Sequence, residues 1–428
     1  MPKKINVVTL GCSKNLVDSE QLMKQLNANS FEVLHDSNQP SDAVIINTCG
    51  FIGDAKEESI NTILDYCNAK KAGIIDKLYV IGCLSERYAD DLRNEIPEVD
   101  SYFGTKDLEK ILRTLDAEYK RELLDERFVT TPKHTSYLKI SEGCDRTCAF
   151  CAIPLIRGKH ESVSMESILH RAQNLVRGGT KELILIAQDL SYYGLDLYKK
   201  RKLADLLKML SDESGAEWIR LHYTYPSDFP EEILPLIRER ENICNYLDIP
   251  VQHMSDNMLK KMRRHITKDQ TVALIDKIKQ KVPGIALRTT LLVGHPGETE
   301  HDFEELKKFT QHVRFDRLGV FQYSHEEDTY AHKNYRDDVP EDVKEARANE
   351  IMELQQNISL ELNVARIGKT FKTLIDREEN GYFIGRTQYD SYEVDNEVYI
   401  RQEGLQVGKF YDIKITSADD YDITGEPI

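Results

Sequence analysis

Apolar residues follow two rhythms near the start of the chain. INVVTLGC, DAVIINTC and KLYVIGC are short continuous apolar runs, the pattern of strands buried on both faces. Between them the period lengthens. Leu16 to Leu26 carries apolar positions at helical spacing, and Ile60, Ile63, Leu64 and Cys67 fall at i, i+3, i+4 and i+7. Strands alternating with helices predict a parallel sheet with helices on its faces. Residues 120–136 (KRELLDERFVTTPKHTS) are polar and interrupted by a proline, which places a boundary there.

A longer α/β series follows. YLKISEGC, ELILIAQDL, WIRLHYT, NYLDIPVQH, ALRTTLLVG and RLGVFQYS read as six strands separated by helical stretches, which predicts a barrel or partial barrel. A charged helix is expected over 341–366. Beyond Arg366 apolar and polar residues alternate in FKTLIDREENGYFIGRT, EVDNEVYI and FYDIKITSADDYDITGE, with Asn380-Gly381 at a turn. That is the pattern of a small all-β module. The expected architecture is α/β: an open parallel sheet domain over 1–125, a six-stranded partial (β/α) barrel over 133–365, and a small all-β barrel over 366–428.

Composition narrows this only slightly. The 428 residues are 30% charged and 40% hydrophobic, a globular balance. The longest apolar run is about five residues, as in Leu183 to Ala187, too short for a membrane span. The first apolar run is also too short for a signal-peptide core and reads as a strand, so a cytoplasmic location is expected. Lys and Arg number 57 against 73 Asp and Glu, a net charge of −16. Such a chain favours a basic partner and disfavours nucleic acid, although a local basic patch can still bind RNA.

The eight cysteines change the picture more. Cys144, Cys148 and Cys151 are spaced C-x3-C-x2-C directly after the first strand of the second domain. Three thiolates that close together can wrap one metal centre. That centre is a zinc, with His160 as the only close fourth ligand, or a four-iron cluster with one open iron; the other reading is reduced core thiols. Cys12, Cys49 and Cys83 are far apart in sequence, but each closes an apolar strand beside Gly11, Gly50 or Gly82. The carboxyl ends of parallel strands share one edge, where three thiols can converge on a ligand. The other reading is three cysteines buried at strand ends. Cys67, on a helix's apolar face, and Cys244 read as packing residues.

CDRTCAFC is similar to the signature of radical S-adenosylmethionine enzymes. TLGCSKNLVDSE, NTCGFIGDAKEES and VIGC resemble the methylthiotransferase subfamily, and the C-terminal β module resembles its TRAM domain. CGFIGDAKEES, IPLIRGKH and FQYSHEEDTYA resemble the branch that modifies a ribosomal protein rather than the tRNA-modifying branch. Ser13 and His295 depart from the proline and phenylalanine common there. The resemblance implies that Cys144, Cys148 and Cys151 hold the radical cluster, whose open iron chelates S-adenosylmethionine, with Phe150 beside the adenine. It implies a second four-iron cluster on Cys12, Cys49 and Cys83. It implies an aspartate of the twelfth small-subunit ribosomal protein as substrate, with a β-methylthio product.

Polar residues at the carboxyl ends of barrel strands tend to line the site. Gln188, Asp189, His222, Tyr223, Gln252, His253, Arg288, Thr290, Gln322 and Tyr323 hold such positions. Of these, Gln188, Gln252, Arg288 and Tyr323 join Phe150 as candidate cofactor-binding residues. A reducing partner such as flavodoxin or ferredoxin is expected. From Arg366 to Ile428 there are 8 Lys and Arg against 13 Asp and Glu, a net of −5. That suits a basic ribosomal protein better than the tRNA of the alternative activity. A non-catalytic iron–sulfur sensor or carrier is the alternative from another class.

Overall fold

The computed structural model describes residues 3–428. Five parallel strands form the N-terminal sheet: β1 (Lys4–Thr9), β2 (Glu32–His35), β3 (Ala43–Thr48), β4 (Lys77–Gly82) and β5 (Ser101–Tyr102). Their order is β2-β1-β3-β4-β5. The chain therefore reverses direction of winding between β1 and β3, the place where such sheets bind ligands. Helices α1 (Ser13–Ala28), α2 (Gly53–Lys71) and α3 (Cys83–Glu95) connect β1 to β2, β3 to β4, and β4 to β5. The continuous apolar runs have a direct cause. Val7 and Ile45 pack on one face with Leu22 and Leu26, while Val8, Val44 and Ile46 pack on the other with Ile63 and Cys67. The two short edge strands β2 and β5 carry too few apolar residues to show in the pattern.

The next strand, β6 (Thr135–Lys139), is followed by a two-residue strand β7 (Ser141–Glu142) that pairs antiparallel with β8 (Glu161–Ser162). This clasp pinches off the segment bearing Cys144, Cys148 and Cys151. The rest of the barrel is β9 (Glu182–Ile186), β10 (Trp218–Leu221), β11 (Tyr246–Asp248), β12 (Ala286–Val293) and β13 (Arg317–Gln322). They form two parallel three-stranded sheets, β10-β9-β6 and β11-β12-β13. The sheets are joined by the Ile219–Ile243 bridge and by Thr224 N–H donating to Asp248 O at 2.9 Å. No strand pairing returns from β13 to β6 among the described residues, so the barrel is open. NYLDIPVQH is only half a strand. Pro250 has no N–H to offer the ladder, and pairing resumes only at the Gln252–Leu291 bridge.

Leu183, Leu185, Ile219, Leu221 and Leu287 face the outer helices. The alternate residues face inward. Two other parts of the chain fill that interior. Val17 of α1 packs on Tyr137, Ile184 and Ile186. From below comes the C-terminal module, a closed barrel of β14 (Thr370–Glu379), β15 (Tyr382–Thr387), β16 (Val398–Ile400), β17 (Phe410–Ala418) and β18 (Ile423–Pro427). Asn380 and Gly381 both take positive φ (51° and 80°), the two-residue hairpin turn expected. EVDNEVYI forms a strand only over Val398–Ile400. The stretch before it docks into the barrel instead: His222 meets Ser391 Oγ at 2.7 Å and Tyr246 donates to Asp395 at 2.7 Å. Arg386 bridges Asp376 (2.6 Å) and Glu182 (2.7 Å), and Glu182 also holds Arg220 (2.7 Å). These charges are buried, and each is paired, which offsets their desolvation.

Candidate active site: two cysteine triads on one cavity

The first triad is built by topology. Cys12 follows β1, Cys49 follows β3 and Cys83 opens α3 after β4. A Cβ on Gly11 would lie 3.0 Å from Cys49 Sγ, so the loop after β1 runs directly against the second thiol. Gly82 has φ 98°, and a Cβ there would lie 2.7 Å from Thr48 O, so only glycine lets Cys83 turn in beside Cys49. Asn15 ties the loops together. Its amide donates to Leu10 O (2.9 Å) and Thr48 O (3.1 Å), and Cys83 Sγ donates to its Oδ1 at 3.5 Å. Burial raises the Cys49 thiol and pushes Cys83 up to about 12, with Cys12 adding to both.

The second triad is built locally. Cys144 N–H donates to Gly158 O (3.1 Å) at the neck of the clasp, and Cys151 N–H donates to Cys148 O (3.2 Å). Cys144 Sγ accepts from Arg146 N–H at 3.4 Å. Cys148 Sγ lies 3.2 Å from Arg264 Nη1 and 3.4 Å from Tyr225 Oη. Burial pushes Cys144 up to about 12 and raises Cys151 as well. Burial thus favours the protonated thiol at Cys49, Cys83, Cys144 and Cys151, so loading a metal on them must release protons. Cationic and N–H donors aimed at sulfur on both triads suit thiolates that carry the charge of a cluster.

All six cysteines line one cavity of about 400 Å³ between the N-terminal sheet and the mouth of the barrel. Phe150, Gln188, Gln252 and Tyr323 line it too, as do Asp189, Tyr223, Thr290 and Gln322. Gln188 donates to Glu142 at 2.6 Å, while its Oε1 is buried without a partner. That orphaned acceptor is what a bound amine would satisfy. Arg288 does not join them. It points deeper into the barrel, 3.4 Å from both Asp248 and Asp395, because the docked C-terminal loop offers it a carboxylate. His222 and His253 are likewise spent internally, on Ser391 and Glu298. His160 is no fourth ligand; it lies outside the cavity lining, on Ser162 Oγ at 3.1 Å.

Sequence reasoning missed the residues that join the two triads. Arg157 of the clasped segment donates to Asp18 of α1 (2.6 Å), to Glu142 (3.3 Å) and to Cys83 Sγ (3.4 Å). Burial alone would raise the Glu142 carboxyl, but Lys139 and Arg157 outweigh it and hold the group near 2. Arg146 stacks between Tyr225 and Tyr192 and pairs with Asp189 at 2.8 Å. The RGKH motif was visible, but its partner on α1 lies far away in sequence.

An open parallel barrel with the C-x3-C-x2-C loop at its mouth is the arrangement of a radical S-adenosylmethionine enzyme, and three matched regions agree. Residues 138–310 match the radical SAM superfamily, residues 4–104 the uncharacterized protein family UPF0004, and residues 367–428 the TRAM domain. The fold is similar to that of the radical S-adenosylmethionine methyltransferase TsrM from Kitasatospora setae (TM-score 0.54, 14% identity, 75% of each chain). It is also similar to the cobalamin-dependent radical enzyme OxsB (TM-score 0.52, 15% identity, 83% of this chain and 56% of that one). The chain is 57% identical to the ribosomal protein uS12 methylthiotransferase RimO of Phocaeicola vulgatus, over 98% of both chains. It is 55% identical to that of Bacteroides fragilis (100% of this chain, 99% of the relative) and 56% identical to that of Flavobacterium johnsoniae (99% and 98%). The chain belongs to the RimO family of radical S-adenosylmethionine methylthiotransferases. The cofactors of that class are S-adenosylmethionine and [4Fe–4S] clusters.

Proposed function

We propose that this chain adds a methylthio group to the β-carbon of an aspartate in ribosomal protein uS12. The observation that carries the reading is the opening of two separate cysteine triads onto one cavity. Insertion of sulfur at an unactivated carbon needs a radical source and a sulfur source facing the same atom, and acid–base groups alone offer no route.

In this reading Cys144, Cys148 and Cys151 hold the cluster that binds S-adenosylmethionine, and Cys12, Cys49 and Cys83 hold the auxiliary one. When bound, the two clusters supply reductive cleavage of S-adenosylmethionine and the sulfur to be inserted. The chain's own residues do the rest. Arg264 and Arg157 donate to the ligand sulfurs, and Tyr225, whose hydroxyl donates to the Arg264 carbonyl, packs beside Cys148. Phe150 offers an apolar flank for adenine, Gln188 Oε1 accepts from the amino group, and Gln252 and Tyr323 line the remaining wall. Arg157, bonded to Asp18 and Glu142, locks the sheet domain onto the barrel and fixes the separation of the triads. The walls exclude water from the reacting carbon. The division at 1–125, 133–365 and 366–428 assigns one triad to each of the first two parts. No helix among the described residues is long and apolar enough to cross a membrane. A cytoplasmic location and a donor such as flavodoxin or ferredoxin complete the proposal.

Mass spectrometry of ribosomal proteins and of tRNA digests, from cells with and without the gene, tests it. Loss of the methylthio increment on uS12 alone is expected. Loss on a tRNA adenosine instead would overturn the reading. Anaerobic reduction with S-adenosylmethionine should also release 5′-deoxyadenosine.

A further inference from the structure

Four basic side chains line the cavity: Lys14, Arg146, Arg157 and Arg264. Three are engaged. Arg146 holds Asp189 at 2.8 Å, Arg157 holds Asp18 at 2.6 Å, and Arg264 serves Cys148 Sγ at 3.2 Å and the Pro250 carbonyl. Lys14 is the exception. It is only 8% exposed, and among the described residues its ammonium makes no salt bridge or hydrogen bond, although Asp248 is near enough to feel its charge. Its stem is buried while its ammonium faces the cavity, so the charge is presented to whatever enters there.

Its one companion is the face of Tyr223, with Nζ 3.2 Å from the ring centroid. Tyr223 itself sits at φ 62°, a left-handed conformation unfavourable for a tyrosine. Its N–H donates to Asp248 Oδ2 at 3.1 Å and its carbonyl accepts from Leu190 N–H at 3.0 Å, which hold it there. A strained backbone that presents an aromatic face to an unpaired ammonium at the cavity wall is a built half-site. What it lacks is an anion.

We propose that Lys14 is the specificity-determining residue that takes the side-chain carboxylate of the substrate aspartate. The inference rests on the proposed function, since adenosine has no carboxylate to offer. In aspartate the reacting β-carbon is bonded directly to that carboxylate. A grip on the carboxylate therefore fixes the carbon within the cavity, and Lys14 sits in the first turn of α1, two residues beyond Cys12. Positioning of this kind discriminates between substrates before any bond changes. Because Lys14 has no acidic partner, replacing it leaves no orphaned charge behind.

The test uses the reconstituted full-length enzyme and a uS12 segment bearing either the target aspartate or asparagine at that position. Fluorescence anisotropy gives both affinities, with S-adenosylmethionine affinity and iron content measured alongside. The wild-type chain should prefer aspartate by about tenfold, as a charge-assisted hydrogen bond provides. Lys14→Met should bring the preference close to unity, with iron content and S-adenosylmethionine affinity unchanged, and Lys14→Arg should restore part of it. A Lys14→Met chain that keeps the wild-type preference overturns the inference, as does weakened S-adenosylmethionine binding with that preference intact. Failure of the wild-type chain to bind or modify either segment sinks the proposed function, and this inference with it.

Discussion

Cys144, Cys148 and Cys151 lie in one loop, closed at its neck by the two-residue strands Ser141–Glu142 and Glu161–Ser162. Cys12, Cys49 and Cys83 come from three strand ends and meet only because the sheet order is β2-β1-β3-β4-β5. Both sets reach the same cavity. The first needs a loop of the right shape. The second needs an entire domain folded in the right order and docked correctly. A local triad can be disturbed by a local change, whereas a topological one is exposed to anything that shifts a strand, and the two should fail separately.

The largest effect is expected from removing one cysteine of each triad. Cys148→Ala and Cys49→Ala should each lower bound iron by about half. They should differ in product. The Cys148 variant should make no 5′-deoxyadenosine above background, while the Cys49 variant should still make it but transfer no methylthio group. Loss of 5′-deoxyadenosine in both would mean that the triads are not independent.

A backbone change should divide them again, by a smaller amount. Gly82→Ala places a Cβ 2.7 Å from Thr48 O at φ 98°, and Gly143→Ala places one 2.6 Å from the Lys159 carbonyl carbon at φ 75°. Each should cost about 1–3 kcal/mol in chemical denaturation. Iron loss should track position, with Gly82→Ala emptying the topological triad and Gly143→Ala the local one. Iron loss from both triads in either variant would break the contrast.

The pH dependence should be one-sided. His295 packs at 5.1 Å on Tyr323, on the barrel wall of the cavity, and burial lowers it to about 4. Its folded value lies below its ordinary 6.5, so the stability it contributes is present above pH 6.5 and lost as pH falls toward 4. Thermal melts should show a decline of about 2 kcal/mol between pH 7 and 5 from this group. His295→Phe should flatten that part of the profile, and an unchanged profile would remove His295 from the account.

The smallest effect belongs to the C-terminal module. Its acidic residues are not all free to meet a basic protein. Asp376, Asp390 and Asp395 are buried against barrel or module arginines, and Asp422 accepts from Glu397 N–H at 2.8 Å. Within SADDYD only Asp419 and Asp420 remain for steering. Changing both to asparagine should slow association with uS12 at low salt by less than about tenfold and flatten its salt dependence. An unchanged association rate would remove this loop from substrate docking.

The sequence alone determined what depends on near neighbours. Continuous apolar runs located the strands that lead into Cys12, Cys49, Cys83 and Cys144, helical spacing located α1 and α2, and the pattern also marked the Asn380-Gly381 hairpin and the long helix, observed over Glu341–Val364. The C-x3-C-x2-C spacing marked the local triad because three thiols so close in sequence have few other places to go. Only the tertiary structure decided the rest. The thin edge strands β2 and β5 gain their pairing from β1 and β4, not from their own residues. The Arg157 contact with Cys83, the ammonium of Lys14 over Tyr223, and the loss of Arg288 to Asp248 and Asp395 all join residues from distant stretches of chain. Charge partners of this kind are chosen by which surfaces dock. Docking depends on the summed packing of whole domains, which no local spacing records.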